Sequence, residues 1–403
     1  MSPVLHGRRL ALLGLSMLAA ACGTPGSPGG QAPGGVGGGS TSATAAPPPR
    51  VSIDPADGAT TVRPDHVVAV SASGGRLASV ALARVADNVP VAGTLSGDGA
   101  SWKATELLDP ATRYRATATA TGNSGGTTVT SAFTTVGESL HITSMRPDDG
   151  TTVGVGMPIT LQLSAGVAEA DQVEFVKHLT VSSTPPMLGA WHWWTLQELH
   201  FRPQAFWPAH ATVKLTVHLH GVSAGNGRWG ADEMTRSFTV GDKHVATVDN
   251  AAHQMSVTVN DQQTAVWPAS LGKNGFPTIG GTLWVPYKLD KLKMSSCATF
   301  GGAACQPGSS NFYDEYVYWD TAISVNGFYI HAAPWSVGDQ GVRNVSHGCI
   351  NLSPDHGKAF YDQSLPGDIV LVTNAARAAD QGDGEGDWQT PWEKYANSGP
   401  GVG

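Results

Sequence analysis

Charge is scarce in this chain. Of 403 residues, only 14% are Asp, Glu, Lys or Arg, and the acidic excess leaves a net charge of −8. No polybasic tail is present, and a nucleic-acid partner would need a basic face. Long apolar runs are missing as well. The run from Leu10 to Ala21 has 12 residues, too short to span a bilayer but the right length for the h-region of an export signal behind Arg8 and Arg9. Cysteine is rare: Cys22, Cys297, Cys305 and Cys349 are all there is. What is abundant is glycine, 50 residues. Little charge and much glycine suit a β-rich extracellular protein with many turns, long enough for two to four domains.

The signal-like run ends in "LAAAC". Small residues directly before Cys22 resemble a bacterial lipobox, although Ala19 stands where leucine is usual and Leu18 lies one place further back. Lipidation of Cys22 is expected; ordinary cleavage after an A-x-A site is the alternative. Acyl chains would contribute about 0.8 kcal/mol of anchoring per buried methylene. Residues 23–49 are Gly, Pro, Ser, Thr and Ala and read as a flexible tether. The expected location is the extracytoplasmic face of the cell membrane, reaching the cell wall or periplasmic space.

An internal repeat follows. "DPADGATTV" (54–62) returns as "RPDDGTTVG" (146–154), and "SAFTTVG" (131–137) as "RSFTVG" (236–241). Each copy holds short alternating runs such as "RYRATATATG", which predicts two Ig-like β-sandwiches. In the second, "GAWHWWTLQELHFRP" (189–203) is expected to form a hairpin whose tryptophans pack the sandwich or a domain seam rather than a carbohydrate-binding stripe. His218 and His220 share a strand face but lack a third ligand, a poor zinc site. From about residue 242 the text changes to further strands. Ser353–Pro354 marks the start of a helix, and Thr390 with Glu393 makes a capping box in a tryptophan-bearing tail. The resulting division is a signal at 1–21, Cys22 and tether at 22–49, Ig-like domains at 50–137 and 138–241, a further β-rich domain at 242–375, and a docking tail at 376–403.

Chemistry concentrates in "SHGCIN", 346–351. A thiol has a pKa near 8.5, so a nucleophilic cysteine needs a base within reach. Two histidines qualify. His347 is two residues from Cys349; His331 ends the strand "GFYIH", 18 residues earlier. If 346–351 is extended, His347, Cys349 and Asn351 share a face. Gly348 leaves the chain uncrowded, so a carbonyl can approach the amides of Gly348 and Cys349, natural oxyanion donors. With Cys22 lipidated and Cys349 reactive, Cys297 and Cys305 remain as one pair. Seven residues separate them, enough for a turn that brings their β-carbons together.

The pattern H…[S/T]-H-G-C-x-N, carried by "IHAAPWSVGDQGVRNVSHGCINLSP" (330–354), resembles the active-site segment of the L,D-transpeptidase (YkuD-like) family. The whole layout resembles the actinobacterial lipoprotein type. The resemblance implies Cys349 as nucleophile and His331 as proton acceptor and donor, oriented by the main-chain carbonyl of Ala332. His347 supports the site or handles the incoming amine, beside Ser346 and Gly348. Tyr313, Asn326, Gly327 and Asn351 match substrate-contacting positions. It implies peptidoglycan stem peptides as substrates, 3→3 cross-linking with release of D-Ala, carbapenems as inhibitors that acylate the same cysteine, and no cofactor or metal. Upstream of Tyr313, "KMSSCATFGGAACQPGSSNFY" departs from the usual lid. The alternatives are an L,D-carboxypeptidase on the same fold, in which water replaces the amine, and a non-enzymatic wall-binding Ig-like lipoprotein.

Overall fold

The computed structural model describes residues 47–383 and 386–397. The signal, Cys22 and most of the tether lie outside the described residues. The described residues cluster as one compact unit, with no break between the segments read as separate domains.

The first sandwich faces a four-stranded sheet (Arg50–Asp54, Ala69–Ser73, Ser101–Ala104, Gly93–Leu95) against a three-stranded one (Arg76–Arg84, Arg113–Gly122, Gly125–Thr134). The alternation in "RYRATATATG" buries Tyr114, Ala116, Ala118 and Ala120 on one side, as period-2 burial requires. Tyr114 and Phe133 stack in that core at 5.7 Å.

The second sandwich carries the expected hairpin, Gly189–Trp193 and Glu198–Pro203. Trp191 packs inside against Phe201, while Trp194 turns outward to the C-terminal segment. His218 Nδ1 lies 2.7 Å from Glu233, and His220 Nε2 3.4 Å from Asp109 of the first sandwich, so each histidine faces a carboxylate. A short helix, Glu169–Val176, interrupts this copy; the repeat pattern contained no sign of it.

The third segment has two sheets. A six-stranded sheet runs in the order Gln262–Pro268, Gln254–Val259, His244–Asp249, Ile369–Thr373, Ile279–Trp284, Arg377–Ala378. Its first hairpin turns at Asn260 and Asp261, both with positive φ, which Asn and Asp tolerate better than other side chains. A four-stranded sheet holds Lys288–Ser295, Asp314–Ala322, Tyr329–Ala332 and Ile350–Leu352. The helix Pro354–Gln363 begins as expected: Ser353 accepts from the His356 N–H, with Pro354 in the first turn. The capping box at Thr390 does not form. The last helix starts at Trp392, after Pro391; the Thr390 N–H donates to the Gly386 carbonyl, and the Thr390 carbonyl accepts from Arg202.

The second sandwich and the catalytic segment share a core. Trp284 and Ile369 belong to the same buried cluster as Leu161, Trp191 and Phe201. Backbones meet directly at this seam: Gly154 and Gly156 donate to the carbonyls of Pro366 and Gly367, both at 2.8 Å. A Cβ on Gly154 would lie 2.1 Å from the Asp368 nitrogen, so only glycine fits.

Candidate active site

The site grows from one parallel strand pair. Tyr329–Ala332 lies beside Ile350–Leu352, with Ile330 opposite Ile350 and His331 opposite Asn351. Pairing two strands separated by a 17-residue stretch brings His331 and Cys349 into one cavity of about 750 Å³. Tyr313, Asn326, Gly327, Ser346, His347 and Asn351 line the same cavity.

The 346–349 turn is held from within and from outside. Ser346 Oγ donates to the Cys349 carbonyl (2.6 Å) and accepts from the Gly348 N–H (3.0 Å). Thr278 Oγ1 donates to the Gly348 carbonyl (2.7 Å). Gly348 has φ +125°, a conformation that side chains rarely adopt. These bonds correct one expectation. The Gly348 amide is already committed to Ser346, so of the two amides only that of Cys349 is left to face an oxyanion.

His331 is buried, and its Nδ1 lies 3.0 Å from the Ala332 carbonyl. A carbonyl only accepts, so Nδ1 carries the proton and Nε2 keeps its lone pair. Burial lowers its pKa to about 4, more than the Ala332 bond raises it. Cys349 is part-exposed as a residue, yet its thiol is enclosed. Burial pushes it up to about 12, offset in part by the Tyr329 N–H and reinforced by Asp320. Thiol and imidazole are therefore both neutral at rest.

His347 packs edge-on to Phe276 at 4.8 Å and lies 5.0 Å from the Tyr313 ring. Burial and Lys273 lower its pKa, and its Nε2 has no hydrogen-bond partner among the described residues. Tyr313 bonds through its hydroxyl to Thr299. Asn351 donates to Ser336 (3.0 Å), which leaves its side-chain oxygen for other partners. Asn326 lines the cavity, but its amide donates to the Gly382 carbonyl in the C-terminal segment. Its predicted substrate contact must therefore come from its remaining groups.

A disulfide joins Cys297 and Cys305. It closes a short helix, Ser296–Phe300, onto a 3-10 turn, Gly302–Cys305, and Phe300 sits over Phe276 and His347. Thr278 and Ser336 were missed from the sequence. Thr278 lies 70 positions from Gly348, and nothing in local spacing links them.

A cysteine, two histidines and a glycine turn at the edge of a mixed sheet, behind Ig-like sandwiches, define a class. Residues 243–372 match the L,D-transpeptidase catalytic domain, and residues 59–223 match a bacterial Ig domain. The chain belongs to the L,D-transpeptidase family. It is 38% identical to L,D-transpeptidase 2 of Mycobacterium tuberculosis over 86% of this chain and 84% of that protein. L,D-transpeptidase 5 of the same species is 32% identical over 87% and 77%. A solved LD transpeptidase in complex with imipenem is 30% identical, covers 58% of this chain and 98% of its own, and superposes with a TM-score of 0.50.

Proposed function

We propose that the protein forms 3→3 cross-links in peptidoglycan through a thioester on Cys349. The observation that carries this reading is the shared cavity of Cys349 and His331, with His331 Nδ1 fixed on the Ala332 carbonyl. The donor is a tetrapeptide stem whose diaminopimelate carbonyl is bonded to D-Ala.

Because thiol and imidazole start neutral, proton transfer accompanies attack. Sγ bonds to the carbonyl carbon as His331 Nε2 takes the thiol proton. The oxyanion faces the Cys349 N–H, a donor whose loss in comparable sites costs about 2.7–4 kcal/mol. The intermediate collapses, the C–N bond breaks, and the imidazolium returns its proton to the departing D-Ala amine. The side-chain amine of a second stem then attacks the thioester and loses a proton to the base. The C–S bond breaks, the thiolate leaves and takes its proton back from the imidazolium, and the new amide is the cross-link. His347, beside Tyr313 under the lid, is suited to receive the incoming amine. Imipenem and its class fit the same reading as acylating inhibitors of Cys349. Lipidation at Cys22 would hold the protein on the membrane, with the sandwiches lifting the site into the wall.

Mass spectrometry of products from the protein and a disaccharide-tetrapeptide tests the reading. A dimer lighter by one D-Ala than two donors is expected, and Cys349→Ala should yield neither dimer nor imipenem adduct. Tripeptide without dimer would make it a carboxypeptidase. Dimer from Cys349→Ala would overturn the nucleophile. Cys22→Ser should move the protein out of the membrane fraction; a variant that stays membrane-bound would remove the anchor.

A further inference from the structure

One carboxylate in the catalytic cavity lacks a counter-ion. The cavity wall is a two-stranded ribbon, Lys288–Ser295 against Asp314–Ala322, with Met294 opposite Glu315 and Leu292 opposite Val317. Directly opposed residues share a face, and these four all line the cavity. Three are apolar and Glu315 is not.

The ribbon's cations are engaged elsewhere. Lys291 lies over Tyr316 at 4.1 Å, and Lys293 reaches Asp314 at 3.2 Å. Lys273, across the cavity, bonds to Asn311 at 3.2 Å and lies over the Phe276 ring. The cavity's other carboxylate, Asp339, is held by Arg343 at 2.6 Å. Glu315 has no hydrogen bond or ion pair among the described residues. Burial alone pushes its pKa up, and no cation offsets it. A half-buried carboxylate without a partner carries an uncompensated desolvation cost, which a bound cation would remove.

We propose that Glu315 is the counter-ion for a primary ammonium on the donor stem, and so determines which stems the cavity accepts. The inference rests on the peptide-stem reading above. In that reading the donor residue whose carbonyl meets Cys349 carries an aliphatic amine on a flexible side chain, and Glu315 is the only unpaired carboxylate among the described residues of the cavity wall.

The test is first-turnover acylation, read as acyl-enzyme by intact mass across donor concentrations. The probes are a tetrapeptide stem with a free side-chain amine and the same stem N-acetylated there. Reading acylation alone isolates the donor, since acetylation also removes acceptor capacity. The wild-type chain should prefer the free amine by about tenfold, the worth of a charge-assisted contact. Glu315→Gln should lose that preference through a higher half-saturating concentration, and Glu315→Asp should keep part of it, both melting as the wild type does. An unchanged preference in Glu315→Gln, or none in the wild type, overturns the assignment. Failure of the wild type to acylate on either stem, while it still forms an imipenem adduct, overturns the peptide-stem reading and this inference with it.

Discussion

His331 is the residue on which the proposed chemistry turns, and its environment makes a pH signature. A general base works only while unprotonated. Burial lowers its pKa to about 4, so it stays unprotonated through the range where an ordinary histidine, near 6.5, would titrate. The second-order rate of acylation by imipenem should therefore hold level from pH 8 down to about 5 before falling. A descending limb centred near 6.5 would assign the base to another group. His331→Ala should slow acylation by roughly 10²–10⁴-fold. If His347→Ala is the slower variant and His331→Ala is nearly normal, the two roles exchange. The identities of these residues were legible in the sequence because the motif is local and dense. The tautomer was legible only through a resemblance. The commitment of the Gly348 amide to Ser346 was not legible, since it depends on a turn closing over three residues.

At the scale of elements, the lid differs from the rest of the site. Cys297 and Cys305 close a small loop, for which chain entropy contributes about 2.5 kcal/mol at most. Ser296 supports it by donating to the Ala304 carbonyl at 2.7 Å, and the Tyr313 amide donates to Ser296 Oγ. The lid thus fixes Tyr313, which lies against His347. Reduction should act locally: donor half-saturation should rise several-fold while the melting temperature falls by only about 2–4 °C. A reduced protein with unchanged donor binding would remove the lid from substrate recognition. Helix and hairpin starts were readable here where local chemistry decides, as at Ser353–Pro354 and at Asn260–Asp261. The Thr390 capping box failed because the Thr390 N–H that Glu393 would have bonded is spent on the Gly386 carbonyl, and Pro391 moved the helix start. The parallel pairing that sets His331 opposite Asn351 is non-local, and no spacing rule announces its register.

At the scale of the whole molecule, the C-terminal segment binds the second sandwich to the catalytic sheet. Trp388 donates to the Gly156 carbonyl, Gln389 to that of Thr282, and Arg202 lies within 4.4–5.3 Å of the rings of Tyr395, Trp388 and Trp392. Beneath this stack, His200 Nδ1 lies 3.1 Å from Asp387, and its Nε2 is 3.1 Å from Glu198. Burial alone would lower the pKa of His200, but Asp387 and Glu198 override it and raise it to about 9. A histidine whose folded pKa is raised stabilises fully below its unfolded value, near 6.5, and that contribution is lost as pH climbs through 9. His200→Gln removes the charge while keeping an amide in its place. The gap in melting temperature between wild type and His200→Gln should thus be largest near pH 6 and should shrink by pH 9.5. Tryptophan fluorescence should report loosening of Trp388 and Trp392 over the same interval. Asp387→Asn should flatten the dependence, because it removes the charge that holds the proton on His200. A gap that stays constant or widens toward pH 9.5 would mean that the buried pair is not what locks the tail, and the aromatic stack around Arg202 would have to hold it alone.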